Sequence, residues 1–166
     1  MELIEKILCE ENLQKAIRKV KKNKGAPGVD KMTVQEVEEW FNQYKEDLIS
    51  KILNKQYKPM PVKRVYIPKP NGKQRPLGIP TVVDRVIQQA MLQVLSEIYE
   101  PVFSEHSYGF RPNRSAHMAM EEVLSYLNEG YEWIVDLDIE KFFDTVNHDK
   151  LISILRERVN DSKTLH

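Results

Sequence analysis

Ile134-Val-Asp-Leu-Asp-Ile-Glu-Lys-Phe-Phe-Asp144 alternates apolar and acidic residues and then runs into two adjacent aromatics. The alternation predicts a β-strand ending in a turn, because side chains along a strand point to opposite faces in succession. Asp136 and Asp138 then share one face, and Val135, Leu137 and Ile139 share the other. A carboxylate on such a strand either faces water or is paired with a cation or metal, since burying it without a partner is costly. The pattern alone serves both uses.

The 166 residues suffice for one hydrophobic core, or for one and part of a second. A chain 41% hydrophobic and 30% charged has the composition of a soluble globular protein. No apolar run approaches the roughly 20 residues of a membrane span, and the start Met1-Glu-Leu-Ile-Glu-Lys6 lacks a signal-peptide layout. The expectation is therefore no membrane partner. Cys9 is the single cysteine, which excludes an intramolecular disulfide and a cysteine zinc site and suits a reducing, cytoplasmic setting. His106, His117, His148 and His166 lack metal-ligand spacing.

The zero net charge hides an asymmetry. Through Arg75 there are 17 Lys/Arg against 10 Asp/Glu, and from Pro76 onward 8 against 15. A basic half suits a polyanion and an acidic half suits metal ions or a cationic neighbour, although a mixed solvated surface has the same counts.

Apolar residues Leu3, Ile7, Leu13, Ile17 and Val20 predict an amphipathic helix from about Glu2 to Lys22. Its end crowds Lys15, Arg18, Lys19, Lys21, Lys22 and Lys24 together. Cations suit a helix C-terminus, but this density exceeds what capping requires and favours contact with a phosphate backbone. Gly25-Ala-Pro-Gly-Val-Asp30 is a rigid loop. A second helix is predicted from about Thr33 to Lys55, with Thr33 and Glu36 as a capping box and Val34, Val37, Phe41, Leu48 and Ile52 facing inward.

Strands are predicted at Val62 to Pro68 and Gln74 to Ile79, with Asn71-Gly72 the signal for a type I′ hairpin turn. This ribbon carries Lys63, Arg64, Lys69, Lys73 and Arg75. Such cations bind phosphate, or they keep an exposed hairpin soluble and guard its edges. A long helix follows from Thr81 to Tyr99, with Val82, Val86, Ala90, Leu92, Leu95 and Ile98 largely inward. Ser107-Tyr-Gly-Phe-Arg-Pro-Asn-Arg114 is a loop whose aromatics can stack on bases while Arg111 and Arg114 bind phosphate. The same loop could instead anchor Tyr108 and Phe110 in the core and cap the next helix with Asn113 or Ser115. That helix runs from about Ser115 to Asn128, and a last one from about Asn147 to Val159. A domain boundary is expected between about Ser104 and Ser115.

Four segments then fall in a familiar order: Lys24-Gly-Ala-Pro-Gly-Val-Asp30, Ile67-Pro-Lys-Pro-Asn-Gly-Lys-Gln-Arg-Pro-Leu-Gly-Ile-Pro80, Ser107-Tyr-Gly-Phe-Arg-Pro-Asn-Arg-Ser115 and Asp136-Leu-Asp-Ile-Glu-Lys-Phe-Phe-Asp144. With them, nearly the whole chain resembles the N-terminal part of group II intron reverse transcriptases, also called maturases. The resemblance implies an α+β fold: helix-rich fingers with a β-hairpin, then the first strand and helix of a reverse-transcriptase palm. It places the N-terminal extension and fingers at 1–110, and the end of the fingers and start of the palm at 111–166.

The resemblance also implies a site, residue by residue. Asp138 matches the first metal-binding aspartate of the palm, where two Mg²⁺ ions serve phosphoryl transfer, and the backbone of Ile139 matches a second metal ligand. The amides of Lys141 and Phe142 match positions that bind the triphosphate of a dNTP, and Phe143 matches the ring that excludes a ribose 2′-hydroxyl. Lys69 and Arg75 match triphosphate-holding fingers residues, while Leu77 and Ile79 match residues packed on the templating base. Lys15, Arg18, Lys19, Lys21 and Lys22 are expected at template or intron RNA. Asp136 and Asp144 are not expected to be catalytic, and Asp144 is expected to cap the helix after it.

The chain departs from the family pattern in one respect. These polymerases complete their metal site with a Tyr-X-Asp-Asp turn on a later palm hairpin, and no Asp-Asp pair occurs in this sequence. Two Mg²⁺ ions draw carboxylates from separate segments. The expectation is a truncated palm that does not polymerise unaided and that self-associates, as a homo-dimer, through exposed strand edges. The implied parent is an RNA-directed DNA polymerase whose partners are template and intron RNA, a DNA primer and dNTP. Two alternatives stay open: an RNA-binding splicing cofactor with idle polymerase chemistry, and another retroelement or defence-associated reverse transcriptase.

Overall fold

The computed structural model describes residues 2–68, 70 and 72–166. Helices α1 (Leu3–Leu8), α2 (Glu10–Asn23) and α3 (Val37–Leu53) precede an antiparallel ribbon of β1 (Lys63–Pro68) and β2 (Gln74–Ile79). Helix α4 (Val82–Tyr99), a 3₁₀ turn at Glu100–Val102, α5 (Ala116–Asn128), the single-turn α6 (Phe142–Thr145) and α7 (His148–Arg156) follow. The α+β expectation holds. Two compact units form, one from Met1–Ser96 with Val159–His166 and the other from Glu97–Arg158. The loop at 104–115 lies inside the second. Among the described residues no helix is long and apolar enough to cross a membrane.

The single helix expected over 2–22 is in fact two. Cys9 takes extended backbone, φ −63° and ψ 150°, and divides α1 from α2. The Asn12 side chain explains the break. Its amide donates to the Ile7 carbonyl at 2.8 Å, taking up one of the acceptors that a helix end leaves open. The same nitrogen donates to the Ala90 carbonyl at 3.0 Å, and Asn12 Oδ1 accepts from Gln93 Nε2 at 2.7 Å. The break is thereby fastened to α4.

The core of the first unit is built from helical stripes. Leu13, Ala16, Ile17 and Val20 recur three and four residues apart along α2 and are all buried. Val37, Phe41 and Leu48 of α3 and Val82, Val83, Val86, Ile87, Ala90 and Val94 of α4 join them. Leu92, expected inward, is exposed, because it falls off the stripe set by Val83, Val86, Ala90 and Val94. Among the described residues of Glu97–Arg158, no apolar residue is buried.

Helix α3 begins at Val37, after the turn that Thr33 opens. The Glu36 carboxylate accepts from the Thr33 N–H at 2.7 Å and from its hydroxyl at 2.6 Å. The pair therefore stiffens the turn before the helix and does not form a reciprocal box across its first turn. In the ribbon, Lys63 lies opposite Ile79 and Pro68 opposite Gln74. This register leaves residues 69–73 between the strands, and the type I′ turn expected at Asn71-Gly72 lies partly outside the described residues. Gly72 has φ +76°; Lys69 and Asn71 lie outside the described residues.

The strand expected at 134–139 does not form. A strand is held by the ladder to its neighbour, and β1–β2 is the one sheet among the described residues. Residues 131–139 run without a partner, and Val135 (81%), Leu137 (88%) and Ile139 (67%) are exposed. Helix α7 is capped by Asn147, whose side chain accepts from the Lys150 N–H at 2.9 Å. Asp144 sits inside α6 and is not the cap expected of it.

Candidate functional site

The ribbon sorts its residues by face. Paired residues in an antiparallel register project to the same side, so Lys63, Val65, Ile67, Arg75, Leu77 and Ile79 share one face. Arg75 faces Ile67 near the connecting loop, while Leu77 and Ile79 lie toward the root of the ribbon. Lys63, Arg64 and Arg75 are exposed and form no ion pair among the described residues. Pro76 is tolerated because a two-stranded ribbon has an outward edge on each strand.

Both roots of the ribbon meet at Asp84, which is 4% exposed. Its carboxylate accepts from the Tyr57 hydroxyl, from the Thr81 hydroxyl at 2.6 Å and from the Met60 N–H at 3.2 Å. Thr81 Oγ1 in turn accepts from the Asp84 N–H at 3.2 Å. Burial, and then the hydrogen bond to Asp84, push the Tyr57 hydroxyl well above the ordinary tyrosine range. Sequence reasoning missed this cluster. Its one local signal was Thr81-Val-Val-Asp84, a hydroxyl residue three before an acidic one at a helix start.

The glycine loop packs on the same helix end. A Cβ at Gly28 would lie 2.8 Å from Thr81 Cα and 2.9 Å from Thr81 N, so only glycine permits this approach. Arg85 reaches back to the Ala26 carbonyl at 2.9 Å.

The basic stretch of α2 divides by partner. Lys15 pairs with Glu11 and Lys21 with Glu38, each at 2.7 Å. Arg18, Lys19 and Lys22 are exposed and form no ion pair among the described residues. With Lys24 just past the helix end, likewise exposed and in no ion pair among the described residues, they are the cations of the stretch that remain available to a polyanion.

In the second unit, the Arg111 guanidinium is fully engaged. It binds Glu100 Oε1 at 2.8 Å, the Ser104 carbonyl at 2.6 Å and the Ser107 carbonyl at 2.9 Å, and lies 5.5 Å from the Phe103 ring centroid. With its side chain 9% exposed, it fastens the loop to which it belongs. Arg114 donates to the Glu105 carbonyl at 3.0 Å and sits over Tyr108. Phe110 is fully exposed, with φ +58°, and does not anchor a core. Of the two residues considered as caps of α5, Ser115 serves, accepting from the Met118 N–H at 3.3 Å.

Asp136 and Asp138 are both exposed and make no hydrogen bond or ion pair among the described residues. Lys141 turns the chain through left-handed backbone (φ 51°, ψ 40°) into α6. Amides at a helix start have no intrahelical carbonyl, which places those of Phe142 and Phe143 beside the turn. The two rings pack edge to face at 5.4 Å, and Phe143 stays 88% exposed. A carboxylate and a backbone carbonyl at Asp138 and Ile139 are the oxygen donors that Mg²⁺ prefers. They are too few to surround it, and no group of three metal-binding side chains occurs among the described residues. Asp138 belongs to the second unit, whereas Arg75, Leu77, Ile79 and the α2 cations belong to the first. Lys69 is not among the described residues.

Residues 67–165 match the family model for reverse transcriptase, RNA-dependent DNA polymerase. The chain is similar to protein YkfC of Escherichia coli, 40% identical over 167 residues, which covers 97% of this chain and 44% of that protein. It is also similar to the group II intron-encoded protein LtrA of Lactococcus lactis, 40% identical over 143 residues, 85% of this chain and 23% of LtrA. To nuclear intron maturase 1 of Arabidopsis thaliana it is 34% identical over 86 residues, 52% of this chain and 12% of the maturase. The chain spans less than half the length of these relatives.

Proposed function

Because the chain belongs to the reverse transcriptase (RNA-dependent DNA polymerase) family, we propose that it supplies the fingers and the start of the palm of a group II intron-encoded polymerase. The observation that carries this reading is the common face of the ribbon. Arg75 lies on it near the connecting loop, with Leu77 and Ile79 behind. A cation ahead of an apolar strip suits a nucleotide whose phosphates meet Arg75, while a templating base rests on Leu77 and Ile79; Lys69 is assigned the same phosphate-binding role from the motif.

The remaining roles follow the same assignment. Asp138 and the Ile139 carbonyl would hold Mg²⁺. The chemistry bound Mg²⁺ supplies is activation of the primer 3′-oxygen and charge stabilisation on the leaving pyrophosphate. The amides of Lys141 and Phe142 receive the triphosphate, and the exposed Phe143 ring excludes a 2′-hydroxyl by bulk. Arg18, Lys19 and Lys22, together with Lys15 and Lys21, track the backbone of template or intron RNA. Arg111 acts by shaping the loop that presents Arg114.

The test is Asp138→Ala in a full-length polymerase carrying this chain. RNA-templated DNA synthesis should be lost while RNA binding is retained. Undiminished synthesis would remove Asp138 from the reaction. A splicing cofactor with idle chemistry is the second reading, favoured by the likeness to a protein named a maturase. In that case Asp138→Ala would leave splicing intact and the wild type would make no DNA.

A further inference from the structure

The geometry points to Asp84 as a positioning residue that fixes the ribbon on the helical unit, an inference that rests on reading β1–β2 as the nucleotide- and RNA-facing element. Met60 lies three residues before β1, and Thr81 lies two after β2. One buried carboxylate therefore binds both roots, through the Met60 N–H at 3.2 Å and the Thr81 hydroxyl at 2.6 Å. The Tyr57 hydroxyl adds a third donor from the segment that leads into Met60.

The ribbon has little else to hold its angle. All its described side chains are exposed or half-buried, and a two-stranded ribbon is marginal alone. At its base the packing is close: a Cβ at Gly78 would lie 2.8 Å from Val62 Cγ2. An ionised carboxylate accepts from all three donors together. An Asn in its place would turn an NH₂ toward donors, and Ala would leave them without an acceptor. Among the described residues Asp84 makes no hydrogen bond or ion pair with the ribbon face that carries Arg75, so its influence on a ligand runs through orientation, where small displacements are costly to reactivity.

Spin-label distances test the inference in the whole chain. In a Cys9→Ser background, one label pair joins Gln74→Cys on β2 to Glu46→Cys on α3. A control pair joins Arg18→Cys on α2 to the same α3 site. Asp84→Asn should roughly double the width of the ribbon distance distribution and leave the control pair unchanged. A ribbon distribution that stays at its wild-type width in a folded Asp84→Asn protein would overturn the inference. Equal broadening of both pairs would also overturn it, because a merely structural role loosens the whole unit. If Asp84→Asn does not fold, Tyr57→Phe is judged by the same two distances. RNA affinity, measured separately, tells this inference from the reading beneath it. A loosened ribbon with unchanged RNA and dNTP binding supports the role of Asp84 and removes the ribbon from the ligand.

Discussion

Asp161 and Ile4 are 157 positions apart in sequence, yet the Asp161 carboxylate accepts from the Ile4 N–H at 2.8 Å. The bond satisfies an amide in the first turn of α1 that has no partner in its own helix. Thr164 and the Lys163 N–H donate to the same carboxylate at 2.6 and 2.9 Å. Lys163 also pairs with Glu2 at 2.9 Å, so residues 159–166 clasp the start of the chain.

The clasp should respond to acid. Partial burial acts to raise the Asp161 pKa, but hydrogen bonds from Thr164, Ile4 and Lys163 outweigh it and hold the carboxyl below its ordinary value of 3.8. A folded-state pKa below the unfolded one gives stability that is present above about pH 4 and lost as pH falls through the depressed value. Thermal melts from pH 7 down to 3 should show this loss, and Asp161→Ala, expected to cost about 1 kcal/mol at pH 7, should flatten it. An unchanged profile in the variant would refute the assignment.

Phe41 is 2% exposed within the core cluster. Phe41→Ala should destabilise the first unit by about 3–5 kcal/mol through lost burial and a residual cavity. Urea unfolding followed by helical circular dichroism measures this. A cost below about 1 kcal/mol would mean that the ring is not packed as described.

Gly28→Ala should cost about 1–3 kcal/mol, because the atoms facing the new methyl belong to Thr81 and Pro80 backbone and cannot swing aside. The same substitution at Gly109, which has open space around its Cβ direction, should be nearly silent. Paired melting curves compare the two.

Arg18→Gln, Lys19→Gln and Lys22→Gln together should lower the slope of log affinity against log salt for RNA by about 2, at roughly 0.7 for each phosphate no longer neutralised. The melting temperature should not move, since these side chains make no ion pair among the described residues. Arg111→Lys should do the reverse. It leaves the salt slope in place and speeds proteolysis of the 100–111 loop, because lysine cannot reach Glu100, Ser104 and Ser107 together.

The ribbon and α4 were legible because their signals are local: alternation around Asn71-Gly72, and an apolar stripe after Thr81. The break at Cys9 was not, since neither glycine nor proline marks it and its cause, Asn12, works through Ala90 and Gln93. Residues 134–139 have strand character in sequence, but a strand also needs a neighbour, and pairing is not written in one segment. Arg111 and Arg114 look alike in sequence, and only the acceptors around Arg111 show what it holds. The Asp84 cluster left a faint capping signal at Thr81, while Tyr57 and Met60 come from elsewhere in the fold. The roles proposed for Lys69, Asp138 and Phe143 come from the family motif, which geometry within one unit neither supplies nor replaces.

Helix α4 begins among the buried stripes of one unit and ends in the other, where no apolar residue is buried among the described residues. Its amides should therefore exchange with deuterium at graded rates, slowest near Val86 and Ala90 and fastest past Ser96. Heating would release the two parts separately, so one transition temperature would describe neither.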